Sequence, residues 1–113
     1  MQLNEYQKEV MRTADTAYLT RFDRLTNGAL GLCGEAGEVA DIIKKALFQG
    51  HEIDEEHIAE ELGDCAWYIV YTADAIGMTL DEILEKNKVK LRNRYPCGFD
   101  ADRSIHRPEY ERR

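Results

Sequence analysis

Apolar residues recur every three or four positions through most of the chain, the period of a helix with one covered side, and the pattern is all α. Both prolines, Pro96 and Pro108, fall in the last fifth, so everything before Pro96 can be helical without a proline break. Asn4 with Gln7 three residues later resembles a capping box and predicts a first helix from about Glu5 to Ala14. Residues 15–25 read as a short helix or an irregular connection. Thr26 or Asn27 is expected to cap a second helix reaching Phe48. Gly50 stops it, Asp54 caps a third helix from Glu55 to Ile76, and Gly77 ends that one. Thr79 and Glu82 form a further capping-box pattern that opens a fourth helix, expected to reach Arg94 and stop at Pro96. The fold class is therefore an all-α, four-helix bundle-like arrangement of antiparallel neighbours. Residues 1–99 form a single helical domain in this reading, and residues 100–113 a polar tail, mobile or laid across a neighbouring subunit.

On a helical wheel of roughly 100° per residue, Leu32, Ala36, Val39, Ala40, Ile43 and Leu47 gather as an apolar stripe on the second helix. Glu35 and Glu38 sit together at its margin, with Lys45 two turns further along. The third helix repeats the device: Ile58, Leu62, Cys65, Ala66, Ile69 and Ala73 form the stripe, Glu61 and Asp64 border it, and Tyr68 and Tyr71 continue the border. If the stripes pack together, four carboxylates converge at one edge of the core. Carboxylates a few ångströms apart and partly out of water do not all stay ionised without a counter-charge. A hard divalent cation resolves the conflict, and Mg²⁺ takes oxygen ligands while keeping positions for water and phosphate.

A bland reading stands beside this one. A single E-x-x-E on a helix is commonplace and usually a solvated face making i,i+4 pairs. Two such pairs on consecutive helices weigh toward the metal without deciding the matter. A di-iron bundle would need Glu-x-x-His on two helices, and the nearest approach is Asp54 with His57, once. On the fourth helix Asn87, Lys90 and Arg94 share a face, a cationic strip suited to a polyphosphate. Lys and Arg favouring the negative end of a helix explain it equally well.

The totals narrow the field. A chain of 113 residues with 43% hydrophobic and 33% charged positions is expected to be one globular domain with a modest core, leaving part of its apolar surface for another copy to cover. Fifteen Lys plus Arg against 22 Asp plus Glu leave a charge of −7, which argues against a nucleic-acid partner. No apolar run approaches the roughly 18 residues that a membrane span requires, and the polar N-terminus carries no signal-peptide core. Cys33, Cys65 and Cys97 lack zinc spacing and read as reduced thiols of a cytoplasmic protein. His51, His57 and His106 are given no role.

The segments GEAGEV, EELGD and NKVKLRNRYPCGF, in that order, resemble the MazG-like nucleoside triphosphate pyrophosphohydrolases over roughly residues 28–99. The resemblance implies an all-α enzyme that cleaves a nucleoside triphosphate to monophosphate and pyrophosphate. It implies Mg²⁺, with Mn²⁺ as a substitute, held by Glu35, Glu38, Glu61 and Asp64. Glu38 and Glu61 are the catalytic carboxylates, with Glu38 the expected general base. Asn87 and Lys90 would belong to the substrate side, with Lys90 and Arg94 facing phosphates and Tyr68 flanking the base or sugar, and Lys45 is a further substrate-binding candidate. A water oriented by a carboxylate would attack the α-phosphorus. A single-copy member is expected to assemble as a homodimer or homotetramer, with Trp67 and Tyr71 as candidate contacts. The alternatives are a specialised relative acting on dUTP or phosphoribosyl-ATP, and a non-catalytic helical binding module.

Overall fold

The computed structural model describes residues 1–107 and Glu109; the remaining tail positions, 108 and 110–113, lie outside the described residues. It is all-helical, with α1 at Leu3–Thr13, α2 at Arg21–Phe48, α3 at Glu55–Ala75, α4 at Leu80–Arg94 and α5 at Ala101–Ile105. Among the described residues no helix is long and apolar enough to cross a membrane. The chain divides into two units, Met1–Leu80 and Asp81–Arg113.

Two helix starts differ from the sequence expectation. α1 begins at Leu3 after Gln2 without a side-chain cap, which leaves Asn4 inside the helix, and Gln7 closes no box: its Oε1 accepts the Leu80 N–H at 2.8 Å. α2 begins at Arg21, well before Thr26. Thr20 and Asp23 form a reciprocal capping box, each side chain accepting the other's backbone N–H at 3.0 Å. Thr26 lies inside the helix and returns its hydroxyl to the Phe22 carbonyl at 2.9 Å. The ambiguous segment thus resolves into a connection, which turns at Tyr18 with φ 66°, and the first turn of α2. That makes α2 28 residues long, about 42 Å at 1.5 Å per residue.

The other boundaries follow the expected chemistry. Gly50 has φ 73° after α2, and Asp54 caps α3 by accepting the His57 N–H at 3.0 Å. α3 ends in a Schellman turn: Gly77 N–H bonds to the Asp74 carbonyl at 3.0 Å and Met78 N–H to the Ala73 carbonyl at 2.9 Å. Gly77 carries the positive φ of 75° that this turn demands. α4 starts just after Thr79 and ends before Pro96.

In the first unit the core gathers Val10 of α1, Val70, Tyr71, Ala73 and Ala75 of α3, and Leu80. Tyr6, Met11 and Trp67 pack around it. Tyr71 is 1% exposed, and Trp67 stacks on it with ring centroids 5.3 Å apart while its indole N–H donates to Thr13 Oγ1 at 2.9 Å. The expectation that Trp67 and Tyr71 face another subunit is therefore corrected for Tyr71, which is buried within one chain against Gly28 and Arg24 of α2, while the half-buried Trp67 ties α3 to α1. The predicted stripes are only partly covered, since Leu62 is 55% exposed and Leu47 68%.

α2 and α3 run antiparallel along a seam built on small residues. A Cβ placed on Gly28 would sit 2.1 Å from Thr72 Oγ1, and one on Gly31 would sit 2.1 Å from the Tyr68 ring. Each step toward the C-terminus of α2 is thus matched by a step back along α3. At the start of α2, Arg21 donates to the Ala75 carbonyl at 3.1 Å. Arg24 pairs with Asp74 at 2.5 Å and lies 5.6 Å from the Tyr71 ring centroid.

In the second unit the described part of the tail folds back on α4. Asp100 caps α5, accepting the Asp102 N–H at 2.9 Å. Arg103 donates to the carbonyls of Arg94 at 2.6 Å and Asn93 at 3.0 Å, which satisfies last-turn acceptors of α4.

Candidate functional site

Continuing the antiparallel register one turn beyond Gly31 and Tyr68 brings Glu35 of α2 against Glu61 and Asp64 of α3. One oxygen from each of these three carboxylates lies within 4.8 Å of the others. Glu35 and Glu61 are half-buried and Asp64 is exposed, so the group opens to solvent on one side. The small residues explain the approach: without Gly28 and Gly31 the helices would stand further apart and the acids would not meet.

The electrostatics are those of carboxyl groups crowded together. Contact with Glu61, aided by burial, holds the Glu35 carboxyl above its ordinary value of 4.5. Burial, followed by the charges of Glu35, Glu61 and Asp64, raises the Cys65 thiol. Tyr6 of α1, whose hydroxyl is 3.5 Å from the Gly63 carbonyl, is raised by burial and then by Asp64. Glu61 Oε2 is buried with no hydrogen-bond partner. A buried carboxylate oxygen left without a donor is costly unless a cation meets it. The donor set is all oxygen and anionic, which suits a hard divalent cation such as Mg²⁺. The residues present fit that ion.

The remaining expected site residues fall as follows. Glu38, one turn past Glu35, is exposed and outside the three-carboxylate group. Lys45 is bound to Asp41 at 2.8 Å, an i,i+4 pair that raises the lysine and lowers the aspartate. Tyr68 spends its ring on the seam, against Gly31 and edge-on to Trp67 at 5.0 Å. Asn87 and Lys90 are exposed on α4. Arg94 is not open: its guanidinium is paired with Glu109.

Two residues near the acids carry no role in the sequence reading. His57 Nε2 lies 3.2 Å from Glu61 Oε1, a pairing that the i,i+4 spacing on α3 would have disclosed. Tyr6 arrives through the docking of α1 on α3, and nothing local in the sequence marks it.

A family model for the MazG nucleotide pyrophosphohydrolase domain matches residues 25–99, a span that contains Glu35, Glu61 and Asp64. The chain is 33% identical over 73 residues to the Gene 37 protein of Mycobacterium phage L5, an alignment covering 61% of this chain and 64% of that protein. The chain thus matches a little under two thirds of the length of that relative. No solved structure matches. The family match, spanning most of the chain and both acidic motifs, shows that this chain belongs to the MazG nucleotide pyrophosphohydrolase domain family.

Proposed function

We propose that the chain is a Mg²⁺-dependent nucleoside triphosphate pyrophosphohydrolase that releases nucleoside monophosphate and pyrophosphate. The observation that carries this reading is the meeting of Glu35, Glu61 and Asp64, with a buried Glu61 oxygen lacking any donor. Those three residues would hold the cation, with Glu38 as a fourth carboxylate. Bound there, Mg²⁺, or Mn²⁺ in its place, would neutralise phosphate oxygens and acidify water.

The chain's own residues supply the rest. Glu38 lies outside the anion cluster and is the carboxylate we assign to orient water and take its proton, with Glu61 as the second catalytic acid. Attack at the α-phosphorus places the water oxygen on the monophosphate, breaks the α–β bond and expels pyrophosphate. Lys45, Lys90 and Arg94 are assigned to phosphate oxygens, the first after exchanging Asp41 and the last after exchanging Glu109 for the substrate. Asn87 and the edge of Tyr68 are assigned to the nucleoside. The exposed apolar residues of α2 and α3, Leu30, Leu47, Phe48 and Leu62 among them, support assembly as a homodimer or homotetramer, in the cytoplasm. Residues 1–99 remain the proposed domain.

The test is turnover of a panel of canonical and modified nucleoside triphosphates with Mg²⁺, dUTP and phosphoribosyl-ATP included, with products followed by phosphorus NMR. Monophosphate and pyrophosphate, lost in Asp64→Asn, are expected. Turnover confined to dUTP or to phosphoribosyl-ATP would narrow the enzyme to a specialised relative. No turnover of any nucleotide, with no Mg²⁺-dependent rise in melting temperature, would point to a binding module.

A further inference from the structure

We propose that His57 is a positioning residue that sets the orientation of the Glu61 carboxylate toward the cation; this rests on the carboxylate site proposed above. Glu61 uses its two oxygens differently. Oε1 faces His57 Nε2 at 3.2 Å, and with a carboxylate as acceptor that nitrogen is the donor. Oε2 is buried and has no donor. One oxygen is therefore tethered and the other left for the cation.

A glutamate side chain has several free torsions, and three crowded acids push it away from the geometry a cation needs. A single N–H on the outer oxygen opposes both effects. It fixes rotation of the carboxylate and takes up part of its charge while leaving the inner oxygen's lone pairs unused. Hydrogen bonds of this kind to ligating carboxylates govern metal affinity in many sites.

The placement of His57 suits the task. It lies one turn before Glu61 on α3, in the first turn of the helix, where Asp54 holds its backbone N–H at 3.0 Å. Its side chain is 46% exposed, while that of Glu61 is 14% exposed. The imidazole thus approaches from the solvent side and contributes nothing to the core. Its loss leaves the helix cap intact, because the cap uses only the backbone.

The experiment is a Mn²⁺ titration of the full chain without nucleotide, with free Mn²⁺ read by electron paramagnetic resonance. The variants are His57→Ala, His57→Leu, His57→Gln and, as a site control, Glu61→Gln. His57→Ala and the bulkier His57→Leu should each weaken Mn²⁺ binding about tenfold, the lower end of the usual range for such partners. His57→Gln, whose amide can donate to Glu61 from the same position, should recover most of the affinity. The melting temperature of metal-free His57→Ala should match that of the parent. Wild-type affinity in both His57→Ala and His57→Leu, with loss in Glu61→Gln, would overturn the role of His57 alone. Wild-type affinity in Glu61→Gln as well would overturn the carboxylate site and this inference with it. His57→Gln as weak as His57→Ala would overturn positioning through a donated hydrogen bond.

Discussion

At the scale of the residue, the acids compete with one another until a cation arrives. The raised Glu35 carboxyl contributes stability that is fully present below the ordinary value of 4.5 and is lost as pH rises through the raised value. Glu35→Gln mimics the protonated form. In metal-free protein at neutral pH it should melt above the parent, with the advantage vanishing below the ordinary carboxylate value. Melting curves across that window check the sign. The same variant should lose the stabilisation that we propose Mg²⁺ confers on the parent. Asp64→Asn should reduce turnover by about 100-fold or more, at or beyond the usual loss for an outer partner of a metal ligand. The acidic quartet is visible in the sequence because E-x-x-E and E-x-x-D announce themselves by spacing. The separation of Glu38 from the other three is not, because Glu38 stands about 60° around the wheel from Glu35 and only the seam's register decides which of the two faces α3. His57 was legible as an i,i+4 partner of Glu61 yet carries no motif.

At the scale of the element, the α2–α3 seam determines whether the acids meet. Gly31→Ala would drive a Cβ into the Tyr68 ring and should destabilise by about 1–3 kcal/mol, as overpacking does, despite the better helix propensity of alanine. Gly34 and Gly37 have nothing within 4 Å of a built Cβ, so Gly34→Ala should instead stabilise by about 0.5–1 kcal/mol. Denaturant titration of the two variants separates packing from propensity: equal shifts of either sign would contradict this account of the seam. Helix ends with strong local chemistry, Asp54 and Gly77, are readable from the chain alone. The start of α2 is not, because Thr20 and Asp23 form the box with an aspartate where glutamate or glutamine is the usual signal. Tyr71, on the acid border by wheel position, is the most buried large side chain of α3 together with Val70. A tyrosine with a polar tip reads equally well as border or core, and the packing of Gly28 and Arg24 of α2 against its ring settles it.

At the scale of the whole molecule, the first unit is a small core beside a large apolar surface. Val10, Val70 and Leu80 form its buried cluster, while Phe22, Leu30, Leu47, Phe48 and Leu62 stay exposed. Sedimentation should therefore give at least twice the chain mass of 13.0 kDa; a stable monomer at micromolar concentration would contradict the assembly we propose. The apolar period marks the all-α class and composition the acidic balance, but neither says which apolar side chains one chain keeps for itself. Leu62 and Ile69 have the period of core residues and remain exposed.

The central claim is that this site directs water to the α-phosphorus of a nucleoside triphosphate. It is tested most directly by turnover in ¹⁸O-labelled water with Mg²⁺, followed by mass analysis of both products. The account predicts one ¹⁸O in the nucleoside monophosphate and none in pyrophosphate. Label in pyrophosphate, or release of single phosphate, would contradict it.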